Sequence, residues 1–93
     1  MAAARRVQIE KPPTDAAKAR MKRMQAFERQ RVGAKIKQAR TEAGWTLRQM
    51  EARSDVSANH LSELERGLRA ATVDMLVQIA FALNTTLAKL VSE

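Results

Sequence analysis

The 93-residue chain contains no cysteine and no tyrosine, and it has only three glycines and two prolines. Without cysteine it can form neither a disulfide nor a thiolate metal site, which is compatible with a reducing compartment. The scarcity of glycine, proline and aromatic residues argues against a sheet of short strands joined by tight turns. We therefore expect an all-α protein, in which the apolar 45% of the chain supplies one small core.

A long apolar run is also missing. The first residues, MAAARRVQIEKPP, do not contain the apolar stretch of a signal peptide, and the longest purely apolar stretch covers only Ile79 to Leu83. These features exclude a membrane-spanning helix and predict a cytoplasmic protein.

Acidic residues are scarce in the first third of the chain. Residues 1–32 carry nine basic and three acidic residues, a net charge of +6, so residues 33–93 carry only +1 of the total of +7. A cationic segment attracts phosphate groups, because each neutralised phosphate releases condensed counterions. Arg5 and Arg6 are the candidates for a DNA-binding arm. A solvated tail that aids solubility is the alternative, and an anionic membrane surface is a weaker third option because no strongly apolar face accompanies the charge.

Periodicity and capping residues predict the helices. The first dozen residues, which end at Pro12 and Pro13, read as unstructured. Thr14 and Asp15 then start a helix that extends to about Gln30. Its apolar stripe consists of Ala17, Met21, Met24 and Phe27, and we interpret it as core, the alternatives being packing on a second copy or folding only on DNA. A helix from Val32 to Gly44 follows, and the pattern leaves open whether the two are continuous through Gly33.

Three short helices and one longer helix complete the predicted fold. Thr46 and Gln49 form a capping box, Ser57, Thr72 and Thr86 are further N-caps, and Gly67 and Asn84 are left-handed helix ends. In the helix that starts at Thr72, we expect five residues to face inward, namely Val73, Leu76, Ile79, Ala80 and Leu83.

The segment from Val56 to Gly67, VSANHLSELERG, has a distinctive outer face. Leu61 and Leu64 lie three residues apart and can anchor the helix to the core. The opposite side carries small, amide-bearing and acidic residues, namely Ala58, Asn59, Ser62 and Glu63. Such a face suits the reading of base edges.

From Gly33 to Leu90 the chain resembles the lambda-repressor-like, Xre-type helix-turn-helix DNA-binding family. The resemblance is carried by Gly33, Ile36, Arg40, Gly44 to Leu47, Met50, Ser54 to Ser57, Leu61, Ser62, Leu64 to Gly67, Thr72, Leu76, Ile79, Ala80, Ala82, Leu83 and Leu87 to Leu90. It implies a five-helix domain over residues 32–93. Residues 1–31 then form a basic N-terminal arm, partly disordered, with an extra helix at about 15–30.

The family resemblance also implies roles for individual residues. Base-reading residues would be Ala58, Asn59, Ser62 and Glu63, and backbone-binding residues would be Thr46, Arg48, Ser57, His60, Arg66 and Arg69. Arg40 and Glu65 would form a structural ion pair. Val77 and Phe81, which the family pattern places on the surface, would form a dimer interface.

Three positions depart from the family pattern. Glu51 replaces a small alanine between the two motif helices, Asp55 replaces a glycine in the turn, and Leu47 replaces a polar residue that often contacts phosphate. Asp55 tolerates left-handed geometry, so we expect the turn to form. Glu51 and Leu47 are the residues that weaken the case for DNA binding.

We expect a sequence-specific, double-stranded DNA-binding transcriptional regulator, most often a repressor in this family, that acts as a homodimer on a pseudo-palindromic operator. The alternative is an adaptor, antitoxin or antiactivator that keeps the fold and acts through a protein partner. Because the predicted domain extends almost to the last residue of this sequence, we expect no ligand-sensing or catalytic domain. Ser57, His60 and Glu63 share a helix face but lack a pocket and an oxyanion hole, so we expect no enzyme, no metal and no cofactor.

Overall fold

Five α-helices account for most of residues 11–92, the part of the chain that this computed structural model describes. They are α1 (Asp15–Glu42), α2 (Leu47–Ser54), α3 (Ala58–Glu65), α4 (Val73–Ala82) and α5 (Leu87–Val91). No strand occurs within these residues, so the all-α prediction is confirmed. Arg5 and Arg6, the predicted arm residues, lie outside the described part.

Helix α1 is uninterrupted over 28 residues and passes through Gly33. The sequence left this continuity open because glycine weakens a helix. The reason for glycine lies in the packing, since a Cβ at residue 33 would be 2.1 Å from the carbonyl oxygen of Leu64. Gly33 therefore lets the backbone of α1 lie directly on the C-terminal end of α3.

Side-chain caps define where the other helices begin. Thr46 accepts a hydrogen bond from the Gln49 amide at 3.1 Å, and the Gln49 side chain accepts one from the Thr46 amide at 2.9 Å, which confirms the capping box. The predicted caps Ser57, Thr72 and Thr86 are confirmed as well. Short helices can hold these bounds because the caps satisfy backbone amides that the helix itself leaves free.

The core lies where α1, α2, α3, α4 and α5 meet. Its buried residues are Ile36, Met50, Val56, Leu61, Leu64, Leu76, Ile79, Ala80 and Leu90. The prediction that Val73 faces inward is wrong, since this side chain is 63% exposed. Val73 is the first residue of α4, and the core contact at this end of the helix is made by Met75 and Leu76 instead.

The N-terminal half of α1 projects from the other helices. Met21, Met24 and Phe27 are 46%, 63% and 63% exposed, so the interpretation of this stripe as core is wrong. The groove between α1 and the loop before α4 begins only at Gln25, which lies opposite Ala70 and Ala71. Because a helix of this length spans about 42 Å, its first turns extend past the body and stretch the molecule to 54 × 35 × 22 Å.

The end of α5 is fastened to α1. The Arg31 guanidinium donates to the Ser92 carbonyl oxygen at 3.2 Å, and the Lys35 ammonium donates to the same oxygen. These two cations satisfy a carbonyl at a helix C-terminus, where positive charge is favourable. Within residues 11–92, no helix combines the length and the apolar character that a membrane crossing needs.

Candidate nucleic-acid interface

Helices α2 and α3 are joined by a three-residue turn whose geometry depends on Asp55. Asp55 adopts a left-handed conformation with φ of 62°, and its amide donates to the Glu51 carbonyl at 2.9 Å. Asp tolerates this region better than most residues because its short side chain can bond locally. The departure from glycine therefore leaves the turn intact.

Ser54 and Val56 hold the turn against the core through burial and hydrogen bonds. The buried Ser54 hydroxyl donates to the Met50 carbonyl at 2.8 Å and accepts from the Val56 amide at 3.2 Å. The Gln78 side-chain amide of α4 donates to the Ser54 carbonyl at 3.2 Å. The polar groups of the turn are thus hydrogen-bonded to α2 and to α4, and these hydrogen bonds fix the relative orientation of α2 and α3.

Helix α3 is anchored by one face and closed at both ends. Leu61 and Leu64 are 0% and 2% exposed, as predicted. At the C-terminal end, Gly67 has φ of 73°, its amide donates to the Leu64 carbonyl, and the Leu68 amide donates to the Glu63 carbonyl. This pair of hydrogen bonds is the Schellman arrangement, which ends the helix sharply.

The outer face of α3 contains the four predicted base-reading residues. Asn59 is exposed, and Ala58, Ser62 and Glu63 are half-buried. Near the start of the helix, one shallow and mainly polar pocket is lined by Arg48, Glu51, Ser57, Ala58 and Asn59. The structure thus brings together two of the predicted base readers and two of the predicted backbone contacts.

Glu51 lies at this pocket. Its side chain is partly exposed, and within residues 11–92 its carboxylate forms no hydrogen bond or ion pair. A carboxylate with access to water avoids the large desolvation penalty of a buried charge. Glu51 is therefore compatible with close packing of α2 on α3, and it adds negative charge beside Arg48.

Arg40 and Glu65 form the predicted ion pair, which ties α1 to α3. The guanidinium donates to both Glu65 oxygens, at 2.6 and 2.9 Å, and also to the Trp45 carbonyl at 2.7 Å. The hydrogen bond to Glu65 raises the pKa of Arg40, although desolvation opposes the shift. Because the pKa of Arg40 is raised, the arginine's contribution to stability is fully present at neutral pH and is lost only when the guanidinium deprotonates in strong alkali.

A second arginine neutralises the other acid of α3. Arg69 donates through Nε to the Glu63 carboxylate at 3.0 Å, with side chains 52% and 38% exposed. The sequence assigned these residues to separate DNA contacts and did not predict the pair. The left-handed Gly67 could have indicated it, because such a turn folds residue 69 back towards the last turn of α3. Both carboxylates of α3 are consequently paired with arginine.

The remaining predicted backbone contacts lie around α2 and α3. Thr46, Arg48, Ser57 and Arg66 are exposed, and His60 is half-buried. The Nε2 atom of His60 is buried and has no hydrogen-bond partner among the described residues, so only part of the ring is available to a ligand. Arg53, which the sequence did not single out, stacks on the Trp45 ring at 4.2 Å from its centroid.

The predicted dimer residues belong to a longer exposed row on α4. Val77 is 49% exposed and Phe81 is 83% exposed, as the family pattern implied. Val73, one turn earlier, extends the row. Monomeric soluble proteins rarely leave such rows uncovered, so this face is a candidate contact surface.

Two short helices joined by a tight turn, with the second seated by leucines and polar on its outer face, define a helix-turn-helix DNA-binding domain. The chain belongs to the helix-turn-helix family HTH_3, whose model matches residues 36–90.

Similar proteins are transcriptional regulators. The chain is 42% identical over 64 residues to the HTH-type transcriptional regulator y4dJ of Sinorhizobium fredii, a match that covers 69% of this chain and 83% of y4dJ. It is 44% identical over 54 residues to the regulator MT0491 of Mycobacterium tuberculosis, with coverage of 58% and 39%. It therefore spans well under half the length of that relative.

Solved structures of ClgR, the clp gene regulator of Corynebacterium glutamicum, have the same fold. One matches with a TM-score of 0.65 at 35% identity and covers 68% of this chain and 81% of that chain. Another matches with a TM-score of 0.64 at 35% identity and covers 67% and 66%. The matched share leaves out about a third of this chain.

Proposed function

We propose that the protein is a sequence-specific transcriptional repressor that binds a pseudo-palindromic operator as a homodimer, with α3 in the major groove of each half-site. The observation that carries the proposal is the outer face of α3, where an exposed amide and small side chains lie on a helix that the core holds rigidly. The half-sites are expected about one helical turn apart, roughly 34 Å.

Individual residues have distinct parts in this proposal. Asn59 reads adenine with its amide, Ala58 contacts a thymine methyl, and Glu63 accepts from the cytosine amino group. Ser62 contacts a base edge beside them. Phosphates are bound by Thr46 at the start of α2, by Arg48 and Ser57 near the start of α3, and by His60, Arg66 and Arg69.

The Glu63–Arg69 pair supports this arrangement. An isolated carboxylate on a surface that meets DNA would repel phosphates. Arg69 uses Nε for Glu63, and its terminal nitrogens form no other hydrogen bond among the described residues. The same guanidinium can therefore neutralise Glu63 and donate to a phosphate.

A protein-binding adaptor, antitoxin or antiactivator is the second candidate. Glu51 favours it, because this unpaired carboxylate lies beside Asn59 at the start of α3, where a phosphate would approach. The pairing of both α3 carboxylates with arginine favours DNA.

Selection from random duplex DNA tests the proposal. We expect an enriched palindromic motif, and a reporter gene whose promoter overlaps the motif should be expressed less when the protein is present. Asn59→Ala should lower discrimination at one base pair of each half-site by about 1–3 kcal/mol. Gln38→Ala removes an exposed amide from α1 and is the control, for which no change is expected. Binding without any enriched motif would refute sequence-specific recognition.

A further inference from the structure

Two exposed apolar rows of similar length lie on different helices. The α1 stripe consists of Met21, Met24 and Phe27, and the α4 stripe consists of Val73, Val77 and Phe81. At 1.5 Å per residue they span about 9 and 12 Å. All six residues are between 46% and 83% exposed, so neither row is covered by residues 11–92 of the same copy.

The exposed area shows how many of these rows a stable dimer must cover. From these exposed fractions, the side chains of each stripe have roughly 300 Å² of solvent-accessible area per copy. A dimer that pairs α1 with α1, or α4 with α4, would bury only about 600–700 Å² from these side chains, which is typical of weak contacts. A dimer that covers both stripes in both copies would bury about 1,300 Å², within the range of specific interfaces.

Charge decides which stripe faces which. Lys18 and Arg20 precede the α1 stripe, and Lys22 and Arg23 lie within it. An α1 to α1 contact would therefore bring two cationic helices together. Helix α4 contains Asp74 and no basic residue between Val73 and Ala82. The α4 stripe is therefore the complementary surface, because it offers apolar area with a carboxylate beside it.

We propose that the α1 stripe of one copy packs on the α4 stripe of a second copy, and that the contact is made twice around a two-fold axis. In each copy, the projecting N-terminal half of α1 packs on α4 of the other copy. Both stripes are covered, and Asp74 lies near the cations of the opposing α1. The contact forms without DNA, so it is tested apart from base recognition.

Single cysteines provide a clean test because the chain has none of its own. Met24→Cys and Val77→Cys place one thiol at the centre of each stripe. After the two variants are mixed and equilibrated, a short bismaleimide should link one copy of each into a heterodimer, at a yield several-fold above that of either variant alone. If Met24→Cys alone or Val77→Cys alone links equally well, like stripes pair and the proposal is wrong. If no sample links, it is wrong too.

Sedimentation of serine variants tests the same contact independently. Phe27→Ser and Phe81→Ser should each weaken the dimer by tenfold or more, and the double variant should weaken it by clearly less than the product of the two effects, since the residues share one contact. Leu68→Ser removes a side chain that is 64% exposed but belongs to neither stripe, so no effect is expected. Independent effects, or a wild-type protein that stays monomeric, would overturn the proposal without deciding whether α3 reads bases.

Discussion

The two halves of α1 have similar apolar spacing, but the apolar residues of one half are packed on the core and those of the other half are exposed. In the C-terminal half, Val32 and Ile36 lie against the core, and Arg40 is held in an ion pair with little exposure to water. In the N-terminal half, Met24 and Phe27 are 63% exposed among several cations. The contrast shows that periodicity defines an apolar face of a helix, while the neighbouring elements decide whether that face becomes core.

The largest expected effect on folding comes from the ion pair in the packed half. Arg40→Ala would leave Glu65, whose side chain is only 5% exposed, without its partner. We expect the free energy of unfolding to fall by about 3 kcal/mol, because an unpaired buried carboxylate is costly. Urea denaturation followed by the fluorescence of Trp45, the only tryptophan, measures it.

The matched control is an exposed ion pair near the middle of the same helix. Glu28 pairs with Arg31 at 2.8 Å, but its side chain is 53% exposed. Glu28→Ala should therefore change the free energy of unfolding by less than about 1 kcal/mol. Equal decreases for the two variants would contradict the distinction between the buried and the exposed ion pair.

A smaller effect is expected where α1 crosses α3. Gly33→Ala gains about 1 kcal/mol of helix propensity but forces a Cβ against the Leu64 carbonyl. Overpacking of this kind usually costs about 1–3 kcal/mol. Because the clash is with backbone, we expect the upper part of that range, about 2–3 kcal/mol, and hence a net destabilisation of about 1–2 kcal/mol. Ala19→Gly in the exposed half is the reverse change at a position without a packing contact, so in the same Trp45 unfolding measurement it should lower the free energy of unfolding by no more than the propensity difference of about 1 kcal/mol. A stabilised Gly33→Ala variant would show that the crossing has room for a methyl group.

The smallest effect on folding is expected from removing residues 1–12. This deletion takes away Arg5, Arg6 and Lys11 but keeps the Thr14 cap of α1. The free energy of unfolding should stay the same. The slope of log affinity against log salt should become shallower by about 0.9 for each phosphate that the deleted cations had neutralised. An unchanged slope would show that these cations do not meet DNA, and a changed sequence preference would show that they read bases.

The sequence predicted most of the local structure, because the signals are themselves local. Thr46 and Gln49 specify a cap within one turn, and Asp55 and Asn84 are residues that tolerate the left-handed conformation. Long-range features were harder to predict. The reason for Gly33 lies 31 residues away at Leu64. Nothing in the spacing of Met21, Met24 and Phe27 indicates that the body of the protein ends before it reaches them.

The sequence predicted which residues form the candidate site but not which of them interact with one another. The positions of Asn59 and Ala58 on the outer face follow from where Leu61 and Leu64 are buried. The Glu63–Arg69 pair depends on the turn after Gly67, and the location of Glu51 depends on how α2 packs on α3. A linear pattern gives no distances across such turns, so these interactions were not predicted.

Because α1 continues through Gly33, its two halves form one uninterrupted helix of 28 residues. Its C-terminal half lies on the last turn of α3 at Gly33, and its N-terminal half exposes Met21, Met24 and Phe27 within one copy. A contact made near Met21 is therefore held about three helical turns along α1 from Gly33, at a fixed position relative to α3.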